Sequence, residues 1–365
     1  MAKSKLNLWQ RLDWRQALAI DLGSSEVRIF RTRRHSSKAA TEELLIEPAC
    51  VAVKPLPQSA STKRRVLAIG TDALEMEGRL GKEVEVIYPI VAGRIIDQEL
   101  AKALLRSLLK QVLQLNQHLP VVLSPVVAVT VRAGTSDFAR GQLSRLFYSL
   151  GASEVYLVAE PLAAAIGSGV PVADAAGAGL MQLGAGSVEA AAISLGSMTA
   201  FESNLLTPAA AGWDVDDLIQ AYLMKEHQLS VAKSDLIKLK KELLLDVNSK
   251  KTFKVLGRDL VSQQAQTIKV KNSDFLPILE PVAASYLQLL DQLFKKVPQE
   301  LLKDILDHGL LLAGNLAKLN GLDFYLAQHL KMPVALVDDP DLAAAKGVLT
   351  ILENLDQFKE GLGHA

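Results

Sequence analysis

The sequence predicts an α/β fold made of two related halves, and three observations carry that expectation. The first is a repeat. Ala17-Leu-Ala-Ile-Asp21-Leu-Gly-Ser-Ser-Glu-Val-Arg-Ile-Phe30 reads as an apolar strand, a Gly-Ser-Ser turn and a second strand. Leu180-Met-Gln-Leu-Gly-Ala-Gly-Ser-Val-Glu-Ala-Ala-Ala-Ile-Ser194 follows the same plan, with a Gly-Ala-Gly-Ser turn. Aligning Asp21-Leu22-Gly23 with Gln182-Leu183-Gly184 gives one hairpin in two copies, as a duplicated domain would. The second is composition: 49% hydrophobic but 5% aromatic residues, with much Leu, Ala and Val, suits helices packed on parallel sheet. The third is length, because 365 residues exceed what one core usually fills.

Glycines in such turns let backbone N–H groups approach an anion without a Cβ in the way, and Ser187 can add a hydroxyl. One Gly-x-Gly-Ser turn is equally a plain hairpin. Two copies would clasp a phosphate chain from both sides.

These motifs resemble the actin and heat-shock-chaperone ATPase superfamily, and within it the bacterial actin family MreB. Asp21-Leu-Gly-Ser-Ser is similar to that family's first phosphate loop, and Gln182-Leu-Gly-Ala-Gly-Ser-Val-Glu189 to its second. Glu160-Pro-Leu-Ala-Ala-Ala-Ile-Gly-Ser-Gly-Val-Pro171 resembles the helix between the halves. Gly309-Leu-Leu-Leu-Ala-Gly-Asn-Leu-Ala317 resembles the adenosine-side strand and turn, and Asp339-Pro-Asp-Leu-Ala-Ala-Ala-Lys-Gly347 the closing helix. The likeness runs in order from Ala17 to Leu355. It implies an actin-like (ribonuclease H-like) duplicated two-domain ATPase fold, each half with two subdomains. A leader of residues 1–16 would precede a first half, 17–160, with a smaller lobe at about 48–97. The second half, 161–365, would carry its smaller lobe at about 213–275.

Lys plus Arg and Asp plus Glu each total 40, basic residues are dispersed and aromatics scarce, which argues against nucleic acid as a partner. The single Cys50 excludes an intrachain disulfide and a cysteine-rich metal site, and it suits a reducing cytoplasm. The basic N-terminus has no uninterrupted apolar core behind it, as a signal peptide would. Apolar runs such as Val121–Val131 are too short for a bilayer, so a soluble chain is expected.

In chain order, residues 3–16 place Leu8, Trp9 and Leu12 on one helical side, with Lys5 able to snorkel and Arg11 and Arg15 flanking. That reads as an interfacial helix on anionic lipid, or as a leader packed on the domain. Arg31–Lys38 is a basic solvated turn, and Pro55–Arg65 an exposed loop between strands Ala49–Val53 and Val66–Ile69. Leu100, Ala103, Leu104, Leu108 and Val112 recur at helical spacing in Ile95–Leu115. Leu119, Val121, Val122 and Leu123 make an apolar tip before strand Val126–Val131. By resemblance they assist membrane contact; otherwise they are buried strand. A helix over Ser136–Leu150, capped by Thr135 or Ser136, precedes strand Val155–Val158. Pro161 opens helix 161–168 at a position where its missing donor costs nothing. Gly212–Glu226 begins with acids that suit a helix N-terminus. The helix Lys233–Leu245 carries Lys240 and Glu242, which match residues beside the nucleotide's base and ribose in the family; a solvated charged face is the alternative. Phe253–Lys269 reads as a hairpin and Phe275–Lys296 as a long helix.

ATP hydrolysis in such a fold needs phosphate cradles, carboxylates that hold hydrated Mg²⁺, and a group that positions water. The resemblance assigns the cradle to Gly23, Ser24, Ser25, Gly184, Ala185, Gly186, Ser187, Gly314 and Asn315. It assigns Asp21 to Mg²⁺ through water and Glu160 to the attacking water. Asp21 as a turn cap and Glu160 as a helix-dipole partner are the plainer readings. The sequence departs from the family where its second carboxylate would stand, because Gln182 brings no charge. Val188 replaces a hydroxyl, Asn315 and Leu316 replace glycines and would crowd the adenosine side, and Trp213 replaces an aspartate. Glu26 adds negative charge that Arg28 can compensate. The expectation is weak binding of ATP or ADP with Mg²⁺ and an ATPase that is slow or lost, restored in part by Gln182→Asp.

By resemblance the chain is a cytoskeletal protomer, cytoplasmic and peripheral at the inner face of an anionic membrane. It would self-assemble head-to-tail, through contacts that propagate without closing. Its filaments would organise cell-wall synthesis and maintain rod shape with membrane proteins of the cell-elongation complex. The competing reading is a non-hydrolysing regulator that co-assembles with a more active MreB paralogue. A monomeric sugar kinase or chaperone-type ATPase would need a substrate domain or sugar signature that is absent from the sequence.

Overall fold

The computed structural model describes residues 16–33, 43–55, 64–77, 84–113 and 124–358. Two units result: residues 1–169 with 344–365, and residues 170–343.

In the first unit, β1 (Gln16–Leu22), β2 (Glu26–Arg33) and β3 (Glu43–Pro48) form an antiparallel meander. A small three-stranded sheet follows, from β4 (Val51–Pro55), β5 (Arg64–Ile69) and β6 (Glu85–Ile87), with α1 (Thr71–Met76) contributing Ala73 to a small core with Cys50 and Ala52. After the short pair β7 (Ile90–Val91) and β8 (Arg94–Ile95), helix α2 (Gln98–Leu113) buries Leu100, Leu104, Leu105, Leu108 and Val112 along one face. It leads to β9 (Val126–Val131), and α3 (Asp137–Ser149) leads on to β10 (Glu154–Ala159). Both strands run parallel to β1, which gives the sheet order β10-β9-β1-β2-β3. Strands β1 and β9 are buried on both faces, which is why Ala-Leu-Ala-Ile and Val-Val-Ala-Val read as unbroken apolar runs. Ser136 is the cap of α3: its hydroxyl accepts the Ala139 amide at 3.4 Å. The unit also holds α4 (Glu160–Gly167).

The second unit repeats the plan. Strands β11 (Ala178–Leu183), β12 (Val188–Ser194) and β13 (Ser197–Ser203) form the meander. Then come α5 (Gly212–His227), β14 (Leu229–Ser230), α6 (Lys233–Glu242), β15 (Thr252–Asp259) and β16 (Ala265–Lys271), the three strands forming a separate sheet. Helices α7 (Leu276–Phe294) and α8 (Gln299–His308) precede β17 (Leu310–Ala313), and α9 (Leu322–Leu330) links it to β18 (Val334–Leu336). The order β13-β12-β11-β17-β18 mirrors the first unit strand for strand. The duplication extends to register. Leu22 pairs with Val27 and Leu183 with Val188, so each turn holds the same number of residues. Asp21 then lies opposite Arg28, and Gln182 opposite Glu189.

The units divide differently from the halves expected from sequence. Helix α4 and residues 344–365 group with the first unit rather than the second. The reason is a close backbone contact: α10 (Ala343–Glu353) presses on α4 so tightly that a Cβ on Gly347 would overlap the Ala163 carbonyl. The last helix, α11 (Leu355–Phe358), completes this segment. Pro161 falls one residue inside α4, which starts at Glu160, still within the first turn where no amide partner is needed.

Candidate functional site

In the first unit the Gly23-Ser24-Ser25 turn is anchored from below. The Asp21 carboxylate, at the end of β1, is 4% exposed and already in use. Arg28 Nη1 donates to Asp21 Oδ2 at 3.1 Å, and Thr130 Oγ1 donates to Oδ1 at 3.0 Å. Thr130 Oγ1 also accepts the Leu22 amide at 2.9 Å, so one hydroxyl ties β9 to the turn's base. Arg28 Nη2 donates to Glu26 at 2.5 Å, which realises the expected compensation. The Ser24 hydroxyl accepts the Ala92 amide at 2.8 Å and the Ser25 carbonyl accepts the Ala49 amide at 2.8 Å. Among the described residues no acceptor takes the Ser24 or Ser25 amide, and both remain available to an anion. A Cβ on Gly23 would stand 2.7 Å from the Glu26 carbonyl, so the turn needs glycine there.

Thr130 is a residue that the sequence reading missed; its signal is the one hydroxyl in an otherwise apolar strand. Thr130→Val keeps the shape and removes both hydrogen bonds. It is expected to cost about 1–3 kcal/mol in urea denaturation, because Asp21 and the Leu22 amide stay buried.

In the second unit the Gly184-Ala185-Gly186-Ser187 turn is held by its carbonyls. The Gly212 amide donates to the Gly184 carbonyl at 3.0 Å, and the Trp213 amide to the Ala185 carbonyl at 2.8 Å. In a trans peptide the next N–H points opposite to the carbonyl. Fixing those two carbonyls at the start of α5 therefore turns the Ala185 and Gly186 amides the other way. Among the described residues no acceptor takes the amides of Ala185, Gly186 or Ser187, an arrangement suited to phosphate oxygens. Gly314, with φ of 90°, packs its bare Cα on the Leu183 carbonyl and donates its amide to the Pro340 carbonyl at 2.7 Å. Asn315 follows at partial exposure. Leu316 is 5% exposed and joins the core.

Lys240 belongs with this turn, but it is spoken for. Its Nζ donates to the Gly212 carbonyl at 2.7 Å and pairs with Asp216 Oδ1 at 2.8 Å. Burial pushes the Asp216 carboxyl up and the Lys240 ammonium down, each opposed by the charge of the other. Glu242, two residues on, faces elsewhere: it is exposed and meets Lys251 at 3.6 Å. The helix thus separates Lys240 from Glu242. Trp213 carries the Lys233 ammonium 4.9 Å above its ring. Glu160 stands at the first position of α4, partly exposed at the strand-to-helix junction. The candidate membrane residues Leu8, Trp9, Leu12, Leu119, Val121, Val122 and Leu123 lie outside the described residues. Among those described, no helix is long and apolar enough to cross a membrane.

At the first turn the carboxylate expected to organise Mg²⁺ is already engaged, because each Asp21 oxygen accepts a hydrogen bond, from Arg28 or Thr130. Among the described residues no group of three or more His, Cys, Asp or Glu is arranged to hold a metal ion.

Two mirrored sheets, each with a glycine turn after its first strand, define the fold as actin-like. The MreB/Mbl protein family model matches residues 15–360, and the chain belongs to that family. The cell shape-determining protein Mbl of Bacillus subtilis is 28% identical over 343 residues, 93% of this chain and 97% of that protein. The crystal structure of MreB5 of Spiroplasma citri bound to ADP superposes with a TM-score of 0.82 at 22% identity, covering 95% of this chain and 99% of that one. The MamK double helical filament gives 0.71 at 18% identity, covering 93% and 99%.

Proposed function

We propose that this chain is an actin-like cytoskeletal protomer that assembles head-to-tail into filaments at the inner face of the cell membrane. There it organises cell-wall synthesis and maintains rod shape, together with membrane proteins of the elongation complex. The observation that carries this reading is the strand-for-strand duplication with its two glycine turns, in a chain of the MreB/Mbl family. Its relative Mbl is a cell shape-determining protein, MreB5 of the same fold binds ADP, and MamK of that fold forms a filament. The turns bind the phosphates of ATP or ADP through backbone amides. Glu160 orients water and Lys240 supports the second turn through the Gly212 carbonyl, with hydrolysis slow or lost because Gln182 brings no charge.

Electron microscopy of the purified chain on anionic liposomes tests the reading. Filaments on lipid are expected. No filaments with or without nucleotide would favour a co-assembling regulator, a reading that the engaged Asp21 and the neutral Gln182 also suit. We further expect deletion of residues 1–15 to abolish liposome co-sedimentation; unchanged pelleting would reject the interfacial helix.

A further inference from the structure

We propose that Arg28 stands in for the divalent cation at the first glycine turn, so that the protein binds nucleotide phosphates without Mg²⁺. This deepens the nucleotide-binding part of the proposed function and rests on it.

The geometry begins with the hairpin register, which sets Arg28 directly opposite Asp21. The guanidinium is 7% exposed by residue and held by two carboxylates, Asp21 at 3.1 Å and Glu26 at 2.5 Å. It also lies against the turn itself, because a Cβ on Gly23 would stand 3.7 Å from Arg28 Nη1. A guanidinium keeps its charge at any physiological pH and has five N–H donors. Asp21 and Glu26 take one each. The guanidinium is therefore fixed against the turn at Gly23. Mg²⁺ is usually held as a hydrated ion by one or two carboxylates and phosphate oxygens. Here the Asp21 carboxylate of the turn is bound to Arg28 and Thr130. Adding Mg²⁺ would place a dication beside a guanidinium.

The test is binding of a fluorescent ADP analogue to the full chain, measured by anisotropy in excess EDTA and again in excess Mg²⁺. Equal affinity within about twofold is the expected result. Affinity at least about tenfold weaker in EDTA would overturn the inference while leaving nucleotide binding intact. No binding in either buffer would overturn the nucleotide reading and this inference with it. Arg28→Met frees Asp21, and its binding should weaken in EDTA and recover with Mg²⁺. Arg28→Lys keeps a cation and should stay metal-independent. Should Arg28→Met fail to fold, the two-buffer comparison on the unaltered chain still decides.

Discussion

Lys240→Ala is expected to destabilise the second unit by about 3–5 kcal/mol, read as a lower urea midpoint. Lys240 is the cation beside Asp216, whose side chain is 5% exposed, and it also ties α6 to the Gly212 carbonyl at the start of α5. Without it a carboxylate is left buried with no cation at hydrogen-bonding distance. Burial already raises the Asp216 pKa, and Lys240 is the main influence opposing that rise. The direction of the pH effect follows. An acid whose folded pKa lies above its unfolded value binds more protons when folded, so stability falls as pH rises between the two. The Lys240→Ala deficit should be smallest at acid pH, near the unfolded aspartate value of about 3.9, and grow toward neutrality. Adding Asp216→Asn should flatten that dependence and recover part of the midpoint. A single variant that loses under about 1 kcal/mol at neutral pH would mean that Asp216 reaches water in its absence. The loss also has a functional readout, because the Gly212 amide holds the Gly184 carbonyl at 3.0 Å. Nucleotide affinity should therefore fall in the Lys240→Ala chain under conditions where it remains folded.

How far such partners can be read from sequence depends on their distance along the chain. The hairpin duplication was legible because a glycine turn between two apolar runs is local, and its register follows from the turn length. Arg28 could be found the same way: once Leu22 pairs with Val27, Asp21 must face Arg28. Thr130 reaches Asp21 from 109 residues away, through a parallel pairing that no local pattern announces. The acids at the start of α5 show the same limit. All were read as partners of the helix dipole, and Asp214 does cap the helix, accepting the Ala211 amide at 2.7 Å. Asp216 is instead buried against Lys240, and only the packing of α6 on α5 tells the two apart. The grouping of residues 344–365 with the first unit was not legible for a related reason. The contact that draws residues 344–365 into the first unit is backbone on backbone, and its one trace in the sequence is a glycine inside a helix.

That glycine supports the second large expectation. Gly347→Ala should destabilise the first unit by about 3 kcal/mol, although alanine is the better helix former. In α10 the chain runs Ala-Ala-Ala-Lys-Gly, and in α4 Pro-Leu-Ala-Ala-Ala, and Gly347 meets the backbone of α4 at Ala163 and Gly167. Ala163, Ala164, Ala343 and Ala345 have no exposed surface. With a Cβ at 347 the new methyl would overlap the Ala163 carbonyl and stand 2.9 Å from the Gly167 amide nitrogen. Neither obstacle is a side chain that can rotate away. The helices must separate at this point, which shifts α4, whose first residue is the candidate Glu160. Gly141 supplies the contrast. It lies mid-helix in α3, and a Cβ there would meet only the Arg145 guanidinium, at 3.5 Å or more. Gly141→Ala should therefore stabilise by about 0.5–1 kcal/mol, as helix propensity alone dictates. Urea midpoints for the two variants should move in opposite directions from the parent. A Gly347→Ala midpoint equal to or above the parent's would show that α10 can lift from α4 at no cost, and the close approach would lose its structural meaning.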